Sequence, residues 1–154
     1  MHLYDRVGEY LSSTQVADYD NALIANLIKD REWREMLEVE RAKSIFEFVR
    51  DEVRHSWDAQ DEVVTCTASE VLRERTGICF AKSHLLAALL RGTGISAGFC
   101  YQRLVFHEDP ADGYVLHGFN ALYLASQGRW IRVDARGNNS NVITSFDVDL
   151  EDCR

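Results

Sequence analysis

The first part of the chain shows the hydrophobic spacing of amphipathic helices. Apolar residues of the segment 40–57 recur at intervals of three and four between charged positions: Ala42, Ile45, Phe46, Val49 and Val53. This spacing predicts a helix with one face in the core, and His55 falls near its end. A shorter apolar stripe predicts a second helix over 20–30, with Asp20 as its capping residue.

Two further helices are predicted in the middle of the chain. Thr67 and Glu70 have the S/T-x-x-E spacing of a capping box, and Gly77 can end the short helix that follows. The next helix begins near Cys79 and continues to Arg91 with closely spaced leucines, after which two glycines stop it. Cys79 is therefore predicted to lie at the N-terminus of an apolar helix.

The pattern changes at Ala97 from helical spacing to segments rich in aromatic and β-branched residues. Three strands are predicted, over 97–106, 113–124 and 129–135, and a glycine-containing turn joins the last two. Helices followed by antiparallel strands indicate an α+β fold, with N-terminal helices packed on an antiparallel β-sheet.

Length and charge narrow the class of protein. A chain of 154 residues has the size of one domain, so we expect a single domain over 1–154. The 25 acidic residues exceed the 17 Lys and Arg, which argues against nucleic acid as a partner. No secretory pattern and no long apolar run is visible, so we expect a cytoplasmic protein that does not bind membranes. Oligomeric state stays open.

The cysteines do not form a recognisable metal or disulfide pattern. Cys66, Cys79, Cys100 and Cys153 are widely and irregularly spaced, without a C-x-x-C pair. We therefore expect reduced thiols, with no metal site and no cofactor.

Cys79 is the candidate nucleophile, because the unpaired N–H groups of a helix N-terminus favour the thiolate. A base is then needed. His2 is terminal, His107 lies in an acidic loop, and His84 is about 140° around the helix from Cys79. His117 lies inside a predicted strand and is the best candidate for the base.

Asp134 is the candidate for orienting the imidazole of His117. It ends the strand that a hairpin would place beside the strand of His117. A carboxylate there fixes the tautomer of the base and stabilises the imidazolium. The sequence thus predicts a Cys, His and Asp on a helix start and two neighbouring strands.

Three segments resemble the transglutaminase-like superfamily of papain-like thiol enzymes, in its bacterial cysteine protease form. They are TGICFAKSHLLAALLRGTGISAG, LHGFNALYL and RWIRVDARG, within a core of about 42–137. The resemblance implies a papain-like/transglutaminase core, with Cys79 as nucleophile, His117 as general base and acid, and Asp134 as the orienting group. It also implies acyl transfer from peptide or protein carboxamides through a thioester, resolved by water in a peptidase or amidase, or by an amine in a transglutaminase.

The oxyanion of such a reaction needs hydrogen-bond donors. The backbone N–H of Cys79 at the helix start is one candidate, and Gln102 and the indole of Trp57 are candidates for a second. A non-catalytic peptide-binding module that uses the same cleft is the alternative to an enzyme. Peptide N-glycanases and arylamine N-acetyltransferases share the order of the triad, but the former usually carry a C-x-x-C zinc module and the latter are longer.

Overall fold

The computed structural model describes residues 3–105 and 110–148, with side chains from Arg6 onward. His2, His107 and Cys153 lie outside the described residues. Among the helices of the described part, none combines the length and the apolar character needed to cross a membrane.

Five α-helices precede the sheet, interrupted by a pair of two-residue strands. They are α1 (Ala22–Asp30), α2 (Glu38–Glu52), α3 (Ser56–Ala59), α4 (Ala68–Glu74) and α5 (Cys79–Gly92), with β1 (Arg54–His55) and β2 (Thr76–Gly77) between them. Short 3-10 helices span Leu3–Leu11, Trp33–Glu35 and Pro110–Asp112.

The predicted helix over 40–57 was wrong at its C-terminal end. Helix α2 stops at Glu52, and Val53 is already extended, with φ −118° and ψ 117°. The buried ammonium of Lys82 donates to the carbonyls of Val53 (2.5 Å) and Arg50 (3.3 Å). Because these carbonyls bond to a lysine instead of to a next helical turn, the chain leaves the helix, and His55 enters the strand β1.

The helix caps were predicted in part. Asn21, rather than Asp20, caps α1 and accepts from the N–H of Leu23 at 3.0 Å. The capping box of α4 is confirmed, but this helix ends at Glu74, and its C-cap residue Arg75 adopts a left-handed conformation with φ 55°. Gly77 instead lies in β2, where a Cβ would come 2.9 Å from that of Ala81. A glycine at this position lets the strand approach α5 closely.

Helix α5 is the centre of the core. It begins at Cys79 as predicted, and its leucines are fully buried between the other helices and the sheet: Leu85, Leu86, Leu89 and Leu90. Burying each such side chain contributes roughly 1.5–3 kcal/mol. Near the end of the helix, buried Arg91 donates to the carbonyls of Ala97 (2.9 and 2.7 Å) and Ser12 (3.0 Å), which fixes the start of the sheet.

The three predicted strands form one antiparallel sheet, which confirms the α+β fold. Strands β3 (Ala97–Val105), β4 (Tyr114–Leu124) and β5 (Arg129–Val133) lie in the order β3-β4-β5. Buried Asn120 on β4 donates to the carbonyls of Ser83 on α5 (3.1 Å) and Gly98 on β3 (3.2 Å). The amide therefore fixes the sheet against the helix that carries Cys79.

The turn between β4 and β5 is attached to the helical half. The carboxylate of Glu38, in the first turn of α2, accepts from the backbone N–H groups of Ala125 (3.0 Å) and Ser126 (2.9 Å). Gly128 completes the turn with φ 65°, a conformation that favours glycine. The hairpin that carries His117 and leads to Asp134 is thereby held at its far end.

Candidate active site

Cys79 is the first residue of α5 and is half-buried. Ile78, which precedes it, is extended and provides no side-chain cap. The first N–H groups of the helix are therefore free of a capping side chain, and they direct a positive potential toward the thiol.

His117 and Asp134 form a close pair beside Cys79. Nε2 of His117 lies 2.6 Å from Oδ2 of Asp134, and the other carboxylate oxygen accepts from the N–H of Arg136 at 2.9 Å. With Nε2 engaged by the carboxylate, Nδ1 is the ring nitrogen left for the thiol. Phe119 stacks on the imidazole at an interplanar angle of 17°, which restricts the tilt of the ring.

The thiol and the imidazole shift each other's ionisation. Burial raises the pKa of Cys79, but hydrogen bonds from His117, His55 and the N–H of Gly118 outweigh burial and lower the pKa to about 6. The hydrogen bond to Asp134, followed by that to Cys79, raises the pKa of His117 to about 9. Thiolate and imidazolium therefore coexist between pH about 6 and about 9.

His55 is a second imidazole at the thiol, and the sequence prediction missed it. The parallel pairing of β1 with β2 sets His55 opposite Gly77, two residues before Cys79. Its side chain is only 10% exposed and hydrogen-bonds to the thiol. The two-residue strand is too short to give a hydrophobic alternation, so the sequence alone gave no signal for this contact.

Asp58 lies behind His55 and is held by the loop that follows Asp134. The guanidinium of Arg136 makes a bidentate pair with the Asp58 carboxylate (2.9 and 3.0 Å), and Asn139 donates to it at 2.9 Å. Burial raises the pKa of Asp58, but these hydrogen bonds and charges lower it overall. Arg136 thus contacts the carboxylate behind each imidazole, Asp134 through its N–H and Asp58 through its side chain.

Lys82, one turn after Cys79, is a buried cation beneath the site. Its side chain is fully buried, and burial, followed by the positive charge of Arg136, lowers its pKa to about 8. Through the carbonyls of Arg50 and Val53, the ammonium links helix α5, which begins at Cys79, to the segment that leads into His55.

A cavity of about 510 Å³ adjoins the pair of His117 and Asp134. Gln102 lies directly opposite His117 in the register of β3 and β4, and it lines this cavity together with Phe119 and Ile143. The structure thus places Gln102 beside His117. Of the described residues, those that hydrogen-bond to the thiol are His117, His55 and Gly118.

Trp57 lines a separate groove next to Cys79. Its side chain is 77% exposed and lines a shallow groove with Ser56, Gln60 and Ile78, the residue before Cys79. The tryptophan is therefore close to the nucleophile along this groove, without being one of the groups bonded to the thiol.

The other described cysteines have different surroundings. Cys66 is exposed, and burial raises the pKa of Cys100. His84 is turned away from the site, as the helical angle predicts, because its Nδ1 lies 2.7 Å from the carbonyl of Cys66.

A family model for the transglutaminase-like superfamily matches residues 26–135, more than half of the chain. The chain belongs to this superfamily. Among curated proteins, none matches the sequence significantly.

Solved structures show the same transglutaminase-like fold. A candidate cysteine protease from Cytophaga hutchinsonii superposes with a TM-score of 0.64 at 20% identity, over 84% of this chain and 42% of that one. The periplasmic domain of TgpA from Pseudomonas aeruginosa, bound to ethylmercury, superposes with a TM-score of 0.58 at 18% identity, over 85% of this chain and 48% of that one. This chain thus spans less than half the length of either neighbour.

Proposed function

We propose that this transglutaminase-like domain is a cysteine-dependent acyl-transfer enzyme that acts on peptide or protein carboxamides. Cys79 is the nucleophile, His117 the general base and acid, and Asp134 the group that orients His117. The observation that carries the proposal is the convergence of a thiol with a lowered pKa and an imidazole whose second nitrogen lies 2.6 Å from a carboxylate.

The reaction begins with the ion pair of the Cys79 thiolate and the His117 imidazolium. The sulfur attacks the carboxamide carbon, the C=O bond opens to an oxyanion, and the new C–S bond forms. When the oxyanion collapses, the C–N bond breaks and His117 donates its proton to the leaving ammonia or amine. The product of this half-reaction is a thioester on Cys79 and a neutral His117.

The second half-reaction uses neutral His117 as a base. It takes a proton from water or from a primary amine as that nucleophile attacks the thioester. The C–S bond then breaks and the thiolate and imidazolium are restored. Water gives peptidase or amidase activity, and an amine gives transglutaminase activity.

The test is the rate of alkylation of each cysteine by iodoacetamide across pH about 4 to about 10, resolved by peptide mass mapping. Cys79 is expected to react with half-maximal rate near pH 6, while exposed Cys66 and half-buried Cys100 serve as internal controls. His117→Ala should move the profile of Cys79 toward an ordinary thiol, near pH 8.5.

Ammonia leaves a glutamine-containing peptide in both reactions, so the mass of the peptide product separates them: hydrolysis leaves glutamate, whereas transfer to an added primary amine leaves the amine-substituted amide. A wild-type Cys79 that titrates near pH 8.5, or does not react, contradicts the enzyme proposal. That result would favour the peptide-binding module.

A further inference from the structure

Two imidazoles converge on the sulfur of Cys79, and the proposed acid-base chemistry uses only one of them. His117 comes from the sheet, and His55 comes from the helical half of the molecule. A side chain that is 90% enclosed and bonded to the nucleophile touches the reacting atom, so its chemistry bears on the reaction.

The position of His55 is fixed by backbone pairing. The parallel bridge between β1 and β2 sets His55 opposite Gly77, and the chain then turns at Ile78 into Cys79. Lys82 holds the carbonyls of the segment just before β1. A donor that is positioned by the backbone in this way requires little reorganisation during the reaction.

The hydrogen-bonding partners of His55 indicate which ring nitrogen carries the proton. Nδ1 is buried and has no hydrogen-bond partner among the described residues, because Oδ1 of Asp58 lies 3.7 Å away. That carboxylate is instead engaged by Arg136 and Asn139. The nitrogen left for the sulfur is Nε2, so we assign to Nε2 the N–H that faces the sulfur, where it has an acceptor.

We propose that His55 is a catalytic residue that donates a hydrogen bond from Nε2 to the oxyanion formed when Cys79 attacks a carboxamide. The proposal rests on the acyl-transfer function above. The oxygen of the tetrahedral intermediate is two bonds from the sulfur, so an N–H that reaches the sulfur needs only a small rotation to reach this oxygen. Together with the backbone N–H of Cys79, it completes a two-donor oxyanion hole.

The experiment compares two reactions of the same thiol. Alkylation by iodoacetamide displaces iodide at a saturated carbon and forms no oxyanion, whereas acylation by p-nitrophenyl acetate passes through a tetrahedral oxyanion. Both second-order rate constants are divided by the thiolate fraction, measured by ultraviolet absorbance, so that an altered pKa of Cys79 does not affect the comparison.

For His55→Leu, acylation per thiolate is expected to fall by about 10²- to 10³-fold, the loss typical of one oxyanion donor, with alkylation changed only a few-fold. His55→Gln keeps an N–H donor and should retain most of the acylation. The matched control is His84→Leu, which removes an imidazole from the same neighbourhood of α5 without touching the thiol.

Equal losses in both reactions of His55→Leu, or unchanged acylation, would overturn the proposal for His55. If wild-type Cys79 neither alkylates at low pH nor acylates, the acyl-transfer function itself fails. If circular dichroism shows that His55→Leu does not fold, the acylation rates of His55→Gln and His55→Asn are compared instead. Both side chains are polar amides, but that of Asn is shorter. Acylation that does not differ between these two variants would then count against the proposed donor.

Discussion

Single residues from separate segments control the ionisation of Cys79. The thiolate is stabilised by hydrogen bonds from His117, from His55 and from the N–H of Gly118. Together these bonds lower the pKa of the thiol by more than burial raises it. Such hydrogen bonds to a charged group each contribute about 1.5–3 kcal/mol, so the loss of one measurably shifts the titration of the thiol.

The reactive form of this site requires an ionised Cys79 and a protonated His117. Acyl-transfer activity is therefore expected to rise as pH passes about 6 and to fall as pH passes about 9. Asp134→Asn removes the hydrogen bond and the charge that raise the pKa of His117 most, so the upper limb of the pH profile should move to lower pH.

The same substitution should reduce turnover by up to about 10⁴-fold, because an amide at this position allows the wrong imidazole tautomer. The rate of ammonia release from a glutamine-containing peptide across the pH range measures both effects, because this leaving group takes the proton of His117. An upper limb that stays near pH 9 in Asp134→Asn would contradict the role of Asp134 in orienting and charging His117.

The elements of the site depend on the close approach of β4 to the start of α5. A Cβ on Gly118 would lie 2.8 Å from Cδ1 of Phe80, the residue after Cys79. The ring of Phe80 in turn packs against Tyr101, with 6.0 Å between the ring centroids. The absence of a side chain at Gly118 therefore sets the spacing between Cys79 and the strand that carries His117.

Gly118→Ala is expected to move β4 away from α5 and to lower kcat/KM by up to about 10²-fold, with roughly 1–3 kcal/mol lost in stability. Phe80→Leu in the same chain should restore part of the activity by making room. Gly98→Ala, where a Cβ would meet Tyr10 at 3.2 Å instead, is the control away from the site. Full activity of Gly118→Ala would show that the spacing tolerates an added methyl group.

For the whole molecule, the sequence predicted what depends on local spacing. The helix start at Cys79, the strand of His117 and the hairpin to Asp134 follow from periodicity and turn residues. The contact of His55 could not be predicted, because it depends on pairing between β1 and β2, which are separated by a loop and two short helices. The end of α2 could not be predicted for the same reason, because it depends on Lys82 from helix α5. The predicted helix was therefore too long.

The buried cation of Lys82 gives the whole molecule a pH-dependent stability. Its pKa in the folded protein is about 8, against about 10.5 for an exposed lysine, so between these values the unfolded chain binds more protons. The contribution of Lys82 to the free energy of unfolding therefore rises with pH over this interval.

Relative to Lys82→Met, the wild type should gain about 2 kcal/mol in free energy of unfolding between pH about 8 and about 10, measured by urea denaturation. The subtraction removes the contributions of Cys79 and His117, which are present in both proteins. Lys43→Met, on the exposed side of α2, provides the matched control. If the difference in free energy of unfolding between the wild type and Lys82→Met does not change over this pH range, the lowered pKa of Lys82 is contradicted.

The bridging position of Arg136 has a consequence for the time at which the thiol becomes reactive. Arg136 lies 78 residues after Asp58, and both carboxylates behind the imidazoles depend on it. During synthesis from the N-terminus, Cys79 is made well before His117, Asp134 and Arg136. We therefore expect a nascent chain to carry an ordinary, mostly protonated thiol, and Cys79 to reach its lowered pKa only when the last strand and its following loop have docked.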